Sequence, residues 1–398
     1  MPPLTNSPQK IITKTIWLLS FVSLFTDVAG EMLYPVTPLY LKKIGFSVLL
    51  IGILEGVAEA VAGLSKGYFG KLSDASGKRL PFIQFGYGLS ALSRPMMAFI
   101  AHPLWIFFSR TMERLGKGIR TGARDALLSD EATPETKGTV FGFHRSMDTL
   151  GAVIGPLIAL LYLYFYPDNY KTLFYFAFIP GIIAIIITGI IKEKKHPSKT
   201  QPAKRIPFFA IGTYWKKSHS DYKQLVAGLL LFALFNSSDI FLLLKMKETG
   251  MNDTAVIGVY VFYNLVFALT AYPIGMMADK IGLKKIFLVG LILFTIVYTG
   301  FAFNTHLVVF IGLFFLYGVY AAATEGISKA WLSNIADKND TATAIGSYTG
   351  LQSIAALLAS SLTGFLWYRF GSTTTFLITA SATLITVIYL ASIKFIKK

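Results

Sequence analysis

The sequence predicts an all-α polytopic membrane protein of twelve transmembrane helices, arranged as two pseudo-symmetric six-helix halves. Three observations predict it: a charged signature that occurs twice, apolar runs of membrane length along the whole chain, and basic residues gathered in alternate inter-span segments. The first copy of the signature is Gly70-Lys71-Leu72-Ser73-Asp74-Ala75-Ser76-Gly77-Lys78-Arg79. The second is Gly275-Met276-Met277-Ala278-Asp279-Lys280-Ile281-Gly282-Leu283-Lys284-Lys285. In each, Asp stands four residues after the first Gly, a second Gly three after the Asp, and a basic pair follows. The copies lie about half of the 398-residue chain apart, as an internal duplication requires.

The chain is 54% hydrophobic and only 15% charged, with a mean hydropathy of +0.58, more apolar than a soluble core of this length needs. Runs of about 20 apolar residues, the length that crosses a roughly 30 Å hydrocarbon layer, recur throughout. After a polar tail (1–15) they fall near 16–41, 48–70, 81–101, 104–121, 139–165 and 172–191, and these six form the N-terminal half. The first is full length and lacks a small-residue cleavage pattern, so it reads as a retained span and not a removed signal peptide. The fourth is crowded by charge at one end. Residues 192–222 read as a linker: Lys192-Glu193-Lys194-Lys195-His196 through Lys204-Arg205 is basic, carries Pro197 and Pro202, and is drawn to anionic headgroups. Phe208 to Lys217, with Trp215 and two lysines, suits an interfacial amphipathic helix. Six further runs, near 223–246, 255–277, 286–303, 307–328, 341–366 and 374–393, form the second half, and 394–398 is a polar tail.

The net charge of +16 does not indicate nucleic acid, because the lysines and arginines concentrate in the segments that lie on one side of the membrane. That positive-inside pattern predicts cytoplasmic termini and residence in the plasma membrane, the inner membrane of a bacterial cell. The sequence holds no cysteine, which excludes disulfides, thiolate metal sites and cysteine nucleophiles. The two Gly-x-x-x-Asp-x-x-Gly segments interrupt apolar sequence and read as tight turns after spans two and eight. Gly70, Gly77, Gly275 and Gly282 permit a tight turn and close approach of neighbouring helices. Asp74 and Asp279 can accept from a helix N-terminus or pair with a base, while Lys78, Arg79, Lys284 and Lys285 can anchor at headgroups. Such turns can latch one face of the molecule. The basic pair follows Gly77 directly but is displaced by Leu283 in the second copy, so Asp74 is expected to be the stronger latch.

Ionisable groups at mid-membrane cost about 3 kcal/mol or more each, so each needs a partner or a task. Asp27 and Glu31 share one face of span one, and Glu55 and Glu59 repeat that spacing in span two. Arg110, Glu113 and Arg114 form a stripe in span four that Lys117 continues, Arg145 and Asp148 stand three apart in span five, and Arg94 stands alone in span three. The second half offers only Asn236 and Asp239 in span seven and Glu325 and Lys329 in span ten. Ion coupling is therefore expected mainly from the first half, with Phe262, Tyr263, Tyr317 and Tyr320 as candidates for an aromatic substrate wall. Two carboxylates one turn apart cannot both ionise cheaply in a low dielectric, so Asp27 or Glu31 is the leading proton site, with Arg110 or Arg114 as counter-charge. Arg145 and Asp148 read as a structural ion pair. Gly151, Gly155 and Pro156 lie on one side of span five and mark either a helix bend or ordinary close packing.

Twelve spans in two halves with the doubled turn resemble the major facilitator superfamily over nearly the whole chain. Arg114-Leu115-Gly116-Lys117-Gly118 is similar to the family's Arg-x-x-x-Gly element, with Arg120 where a further Gly is expected. Pro134-Glu135-Thr136-Lys137-Gly138-Thr139-Val140-Phe141-Gly142 is similar to the family's entry into span five, and Ala344-Ile345-Gly346 to the same element before span eleven. Gly151-Ala152-Val153-Ile154-Gly155-Pro156 resembles the Gly-x-x-x-Gly-Pro element of exporters, although Ala159-Leu160 replaces its following Gly-Gly. Pro35-Val36-Thr37-Pro38 is similar to the Pro-x-x-Pro of twelve-span drug:proton antiporters, the branch the chain most resembles. The resemblance implies a secondary active transporter working by alternating access, a proton-coupled exporter of small amphiphilic molecules. It implies a monomer with no cofactor, coupled to protons or Na⁺. The alternative is a proton-coupled importer of a small anionic or zwitterionic metabolite, bound through Arg110 and Arg114. An intramembrane enzyme is remote: His102, His144, His196, His219 and His306 form no metal motif, and no ATP-binding Gly-x-x-x-x-Gly-Lys is present.

Overall fold

A computed structural model describes residues 11–34, 36–46, 48–193, 210–251 and 253–393. Most of the basic linker lies outside the described residues, as do Pro35 and the side chains of Pro38 and Glu55. The N-terminal half holds α1 (Lys14–Leu33), α2 (Val36–Lys43), α3 (Val48–Ser76), α4 (Leu80–Phe99), α5 (Pro103–Asp130), α6 (Lys137–Phe165), α7 (Tyr170–Phe176) and α8 (Phe178–Ile190). After α9 (Ala210–Lys217), the second half holds α10 (Ser220–Ala233), α11 (Ile240–Glu248), α12 (Asp253–Ile281), α13 (Leu283–Phe303), α14 (Leu307–Ile335) and α15 (Thr341–Ser392).

These helices make twelve spans, with three departures from the uniform runs expected. Span one is broken into α1 and α2 at Tyr34, and span seven into α10 and α11 at residues 234–239. The break in span seven falls on Asn236-Ser237-Ser238-Asp239, whose side chains compete with the helical backbone for hydrogen bonds. Spans one and seven are equivalent in the two halves, so the breaks are themselves repeated. Span six divides into α7 and α8 around Ala177. Spans eleven and twelve follow each other within α15, separated by a bend at Gly371, whose φ of 78° only glycine adopts cheaply. The short loop expected there is reduced to that residue.

Local signals place the helix starts. Thr13 Oγ1 accepts from Ile16 N at 3.3 Å and caps α1, while Pro81 and Pro103 occupy first-turn positions where the missing N–H costs nothing. Spans one, five, six, eight, nine and ten, and the continuous segment that holds spans eleven and twelve, are long and apolar enough to cross a membrane by length and composition. Span seven falls short because it is broken, and α3, α4 and α5 because charged and small polar residues dilute their hydropathy. The second half is cemented by rings: Phe294 stacks on Tyr298 at 4.1 Å, and both join Phe301, Phe314 and Phe376 in one buried cluster. The first half packs through close backbone approach, as at Gly86, where a Cβ would lie 2.7 Å from the Gly116 carbonyl. Gly86 is thereby a helix-packing residue between spans three and four.

Candidate functional site

The two turns clamp the halves together on one face, called here the turn face. Asp74, at the end of α3, reaches across to the start of span eleven. Its Oδ2 accepts from Thr343 N at 2.6 Å and Thr343 Oγ1 at 2.5 Å, and its Oδ1 accepts from Ala342 N at 3.3 Å. Asp279, at the end of α12, does the same at the start of span five, accepting from Gly138 N at 2.7 Å and Thr139 N at 2.6 Å. Each carboxylate therefore neutralises the orphan N–H groups and dipole of a helix belonging to the other half. Gly70 and Gly275 lie within α3 and α12 and not in a tight turn as expected, and they permit the approach of helix to helix: a Cβ on Gly70 would meet the Ala342 carbonyl at 2.4 Å, and one on Gly275 the Gly138 carbonyl at 2.3 Å. The close neighbours lie across the interface and not within the same half. The second glycine of each turn takes a positive φ, 65° at Gly77 and 112° at Gly282.

The basic pairs do not all reach for headgroups. Arg79 is buried, joined to Asp74 and, at 3.5 Å, to Asp130, while Lys78 is exposed. Lys284 Nζ donates to the carbonyls of Ala391 at 3.0 Å and Ile393 at 2.7 Å, closing the end of span twelve, and Lys285 is exposed. Further ties cross the interface nearby: Lys137 Nζ donates to Ser333 O at 2.8 Å and Asn334 Nδ2 to Pro134 O at 3.1 Å.

Behind this face lies a charged chamber of about 380 Å³ between the halves, reached by Asp27, Glu31, Asp239 and Glu325 among the expected residues. It adjoins an apolar vestibule of about 480 Å³, walled by Tyr34, Leu160, Ile240, Leu243, Val256 and Val261. Glu31, Asp239, Tyr260 and Asn264 border both spaces. The break in span seven thus sits where the vestibule meets the chamber, at irregular backbone that lines a cavity, and Tyr34 at the end of α1 borders the vestibule.

Within the chamber Asp27 lies against Asp148, which also accepts from Ser23 Oγ and, at 2.5 Å, from Arg145 Nη1. Arg145 extends across the interface to Glu325 and lies over the Phe267 ring. The span-five pair is thus part of the inter-half network. One turn along α14 from Glu325, Lys329 pairs with the fully buried Asp125 at 2.7 Å, a second bridge between halves, and Arg124 holds the same carboxylate at 2.9 Å. Asp239 accepts from Tyr317 OH at 2.6 Å. Tyr263, Tyr317 and Tyr320 all belong to the aromatic core, and Tyr263 also lines the chamber.

Lys117 also reaches the chamber, whereas Arg94, Arg110, Glu113, Arg114 and Glu59 lie outside it. Arg110 pairs with Glu113, and Arg114 with Glu59 at 2.7 Å. Arg94 is not alone: it approaches Glu113 at 4.0 Å and donates to Thr26 O at 3.0 Å. Asn236 lies in the break of span seven. Gly151 and Gly155 abut α1, where a Cβ would meet the Leu24 and Val28 carbonyls at 2.5 and 2.6 Å, and Pro156 faces the vestibule. Sequence reasoning missed Lys66, Arg120 and Arg124 as chamber residues. Their signal was a basic residue recurring on one face of an otherwise apolar helix, as at Lys117, Arg120 and Arg124.

Two latched halves around a central charged cavity are the geometry of a carrier, and comparison with known proteins decides which kind. The family model described as Major Facilitator Superfamily matches residues 19–252 and 225–397. The chain belongs to the Major Facilitator Superfamily. This facilitator is 31% identical over 368 residues to an uncharacterized MFS-type transporter of Methanocaldococcus jannaschii, MJ1317, covering 91% of this chain and 90% of that one. It is 23% identical over 333 residues to the multi-drug resistance efflux pump PmrA of Streptococcus pneumoniae, covering 80% of each chain. The crystal structure of the facilitator FucP in the outward conformation superimposes with a TM-score of 0.78 at 12% identity, covering 96% of this chain and 99% of that one. The protein is accordingly an integral membrane transporter of small molecules and not an enzyme.

Proposed function

We propose that this facilitator is a proton-coupled exporter of small amphiphilic molecules, working as a monomer in the plasma membrane with the turn face and both termini in the cytoplasm. The observation that carries this reading is the junction of the apolar vestibule with the charged chamber at Glu31, a cavity that suits a cargo with an apolar body and a polar head. The name of the Streptococcus pneumoniae relative supports the direction, and the crowding of basic residues on the turn-face side supports the orientation.

Antiport follows from competition for one carboxylate. Asp27 lies against Asp148, and a charged carboxylate beside another acid is costly to occlude. Glu31 borders the vestibule one turn further along. A proton entering from the vestibule side neutralises this pair, and a neutral carboxyl is cheap to occlude, so the vestibule closes and the turn face opens. Cargo arriving from the turn face with a cationic group displaces the proton, and the recharged pair draws the vestibule open again.

The test is flux driven by a pH gradient. Inside-out vesicles acidified within are expected to accumulate cargo, and the same vesicles made alkaline within are not. Loss of this flux in both Asp27→Asn and Glu31→Gln is expected, and full pH-driven flux in both variants would overturn the assignment. Cargo accumulation in vesicles made alkaline within would instead identify a proton symporter that imports.

A further inference from the structure

Among the described residues six basic side chains line the chamber, and four of them are already engaged. Arg145 is held by Asp148 and Glu325, Arg124 and Lys329 by Asp125, and Arg120 by Ser90 Oγ at 2.7 Å and the face of Tyr87. Lys66 and Lys117 are different. Lys66 Nζ donates to Ser353 Oγ at 2.8 Å, and Lys117 Nζ has no hydrogen-bond partner among the described residues. Among those residues no carboxylate lies within 4.0 Å of either ammonium. They project from α3 and α5 into one space, near enough for each to feel the other's charge. Two lysine side chains that open onto one chamber, with no carboxylate within 4.0 Å of either among the described residues and with nearby Glu59 taken up by Arg114, form a site for an acid group.

On the vestibule side the polarity reverses. Glu31 has no hydrogen-bond or ion-pair partner among the described residues, and it lies within the field of Lys117 while bordering the apolar vestibule. An uncommitted carboxylate beside an apolar wall suits an amine. Along the cavity the order among the described residues is thus two ammonium groups without an acid partner, one carboxylate without a basic partner, then apolar surface.

We infer that the transported molecule is an amphiphilic zwitterion: its acid group lies between Lys66 and Lys117, its amine at Glu31, and its apolar body in the vestibule. This rests on reading the chamber as the transport site, and it gives separate tasks to the two poles. The lysine pair supplies affinity, and the amine is the part that contests Glu31 with the proton.

The probes are a matched naphthyl set: 3-(1-naphthyl)alanine, which carries acid and amine, 3-(1-naphthyl)propionate, which lacks the amine, and 2-(1-naphthyl)ethylamine, which lacks the acid. Binding to the purified full-length protein in detergent at one fixed pH is measured by titration calorimetry. The zwitterion is expected to bind about tenfold or more tighter than either truncated probe, the order of one charge-assisted contact. Lys66→Gln with Lys117→Gln is expected to weaken the zwitterion and the propionate and to leave the ethylamine unchanged. Glu31→Gln is expected to weaken the zwitterion and the ethylamine only. Lys117→Arg, which keeps the charge, is expected to bind the zwitterion within about threefold of the parent protein, and circular dichroism checks that each variant is folded. The inference is overturned if a truncated probe binds as tightly as the zwitterion, if each variant weakens all three probes equally, or if the zwitterion does not bind at millimolar concentration. Equilibrium binding needs neither a gradient nor a direction, so loss of pH-driven flux with this binding pattern intact would count against the exporter reading alone.

Discussion

At the scale of single residues, the two latch aspartates differ in what depends on them. Asp279 satisfies two backbone N–H groups of span five. Asp74 satisfies the corresponding pair in span eleven, accepts a hydroxyl from Thr343, and is a counter-ion of the buried Arg79. An asparagine keeps the oxygen that accepts from the helix but loses the charge, and stripping one partner from a buried ion pair costs roughly 3–5 kcal/mol. Asp130, 3.5 Å from Arg79, softens that loss. Asp74→Asn is therefore expected to slow initial transport in proteoliposomes about tenfold more than Asp279→Asn, a difference of one charge-dependent contact. Equal or reversed rates would show that Arg79 contributes nothing to the latch.

At the scale of elements, the interface depends on backbone meeting backbone. Gly70 in span two lies against the start of span eleven, and Gly275 in span eight against Gly138 and Gly142 in span five. A methyl group at either turn glycine would press on a carbonyl at 2.3 to 2.4 Å, and a helix end cannot yield as a flexible side chain can. Gly275→Ala is thus expected to hold the turn face open while leaving each half folded. Because the chain has no cysteine, a single cysteine at Thr343 reports this directly, and maleimide labelling of that buried site is expected to rise several-fold in the alanine variant. Unchanged labelling would sink the proposed role of close approach. These elements also mark what was legible in the sequence. The turns at Asp74 and Asp279 and the entry segments at Gly138 and Gly346 are visible as repeated motifs, because glycine spacing and a lone Asp stand out against apolar sequence. That each turn engages the entry segment of the opposite half is not visible, because pairing between distant helices leaves no local pattern. The chamber was legible where acids recur at helical spacing, as at Asp27 and Glu31. It was obscured where a residue's partner comes from the other half, as with Arg145 and Glu325, and the same spacing overstated Arg110 and Arg114, which pair outside the chamber.

At the scale of the whole molecule, the ties between halves are distributed unevenly along the membrane normal. The bridges Arg145–Glu325 and Asp125–Lys329, the Lys137 and Asn334 hydrogen bonds and both latches lie at the chamber or between it and the turn face. The vestibule side is walled by apolar side chains, which can part or meet with little change in polar bonding. This asymmetry makes the structure one member of a two-state pair, closed at the turns, and under the proposed coupling the charge of Asp27 and Glu31 selects between the members. Ionised, they require hydration that the vestibule supplies. Neutral, they remove that requirement, and the polar ties on the turn side alone oppose the opposite state. Spin labels at the exposed positions Lys78 and Lys338 report the turn face, and labels at Asn169 and Lys247 report the vestibule face. Acidification, or Asp27→Asn with Glu31→Gln at neutral pH, is expected to lengthen the first distance and shorten the second in double electron–electron resonance. Movement of both distances in the same direction, or lengthening at the vestibule face on acidification, would contradict control of the two-state equilibrium by these carboxylates. If the double variant no longer responds to pH while the parent protein does, the proton that drives the exchange is the one these two residues hold.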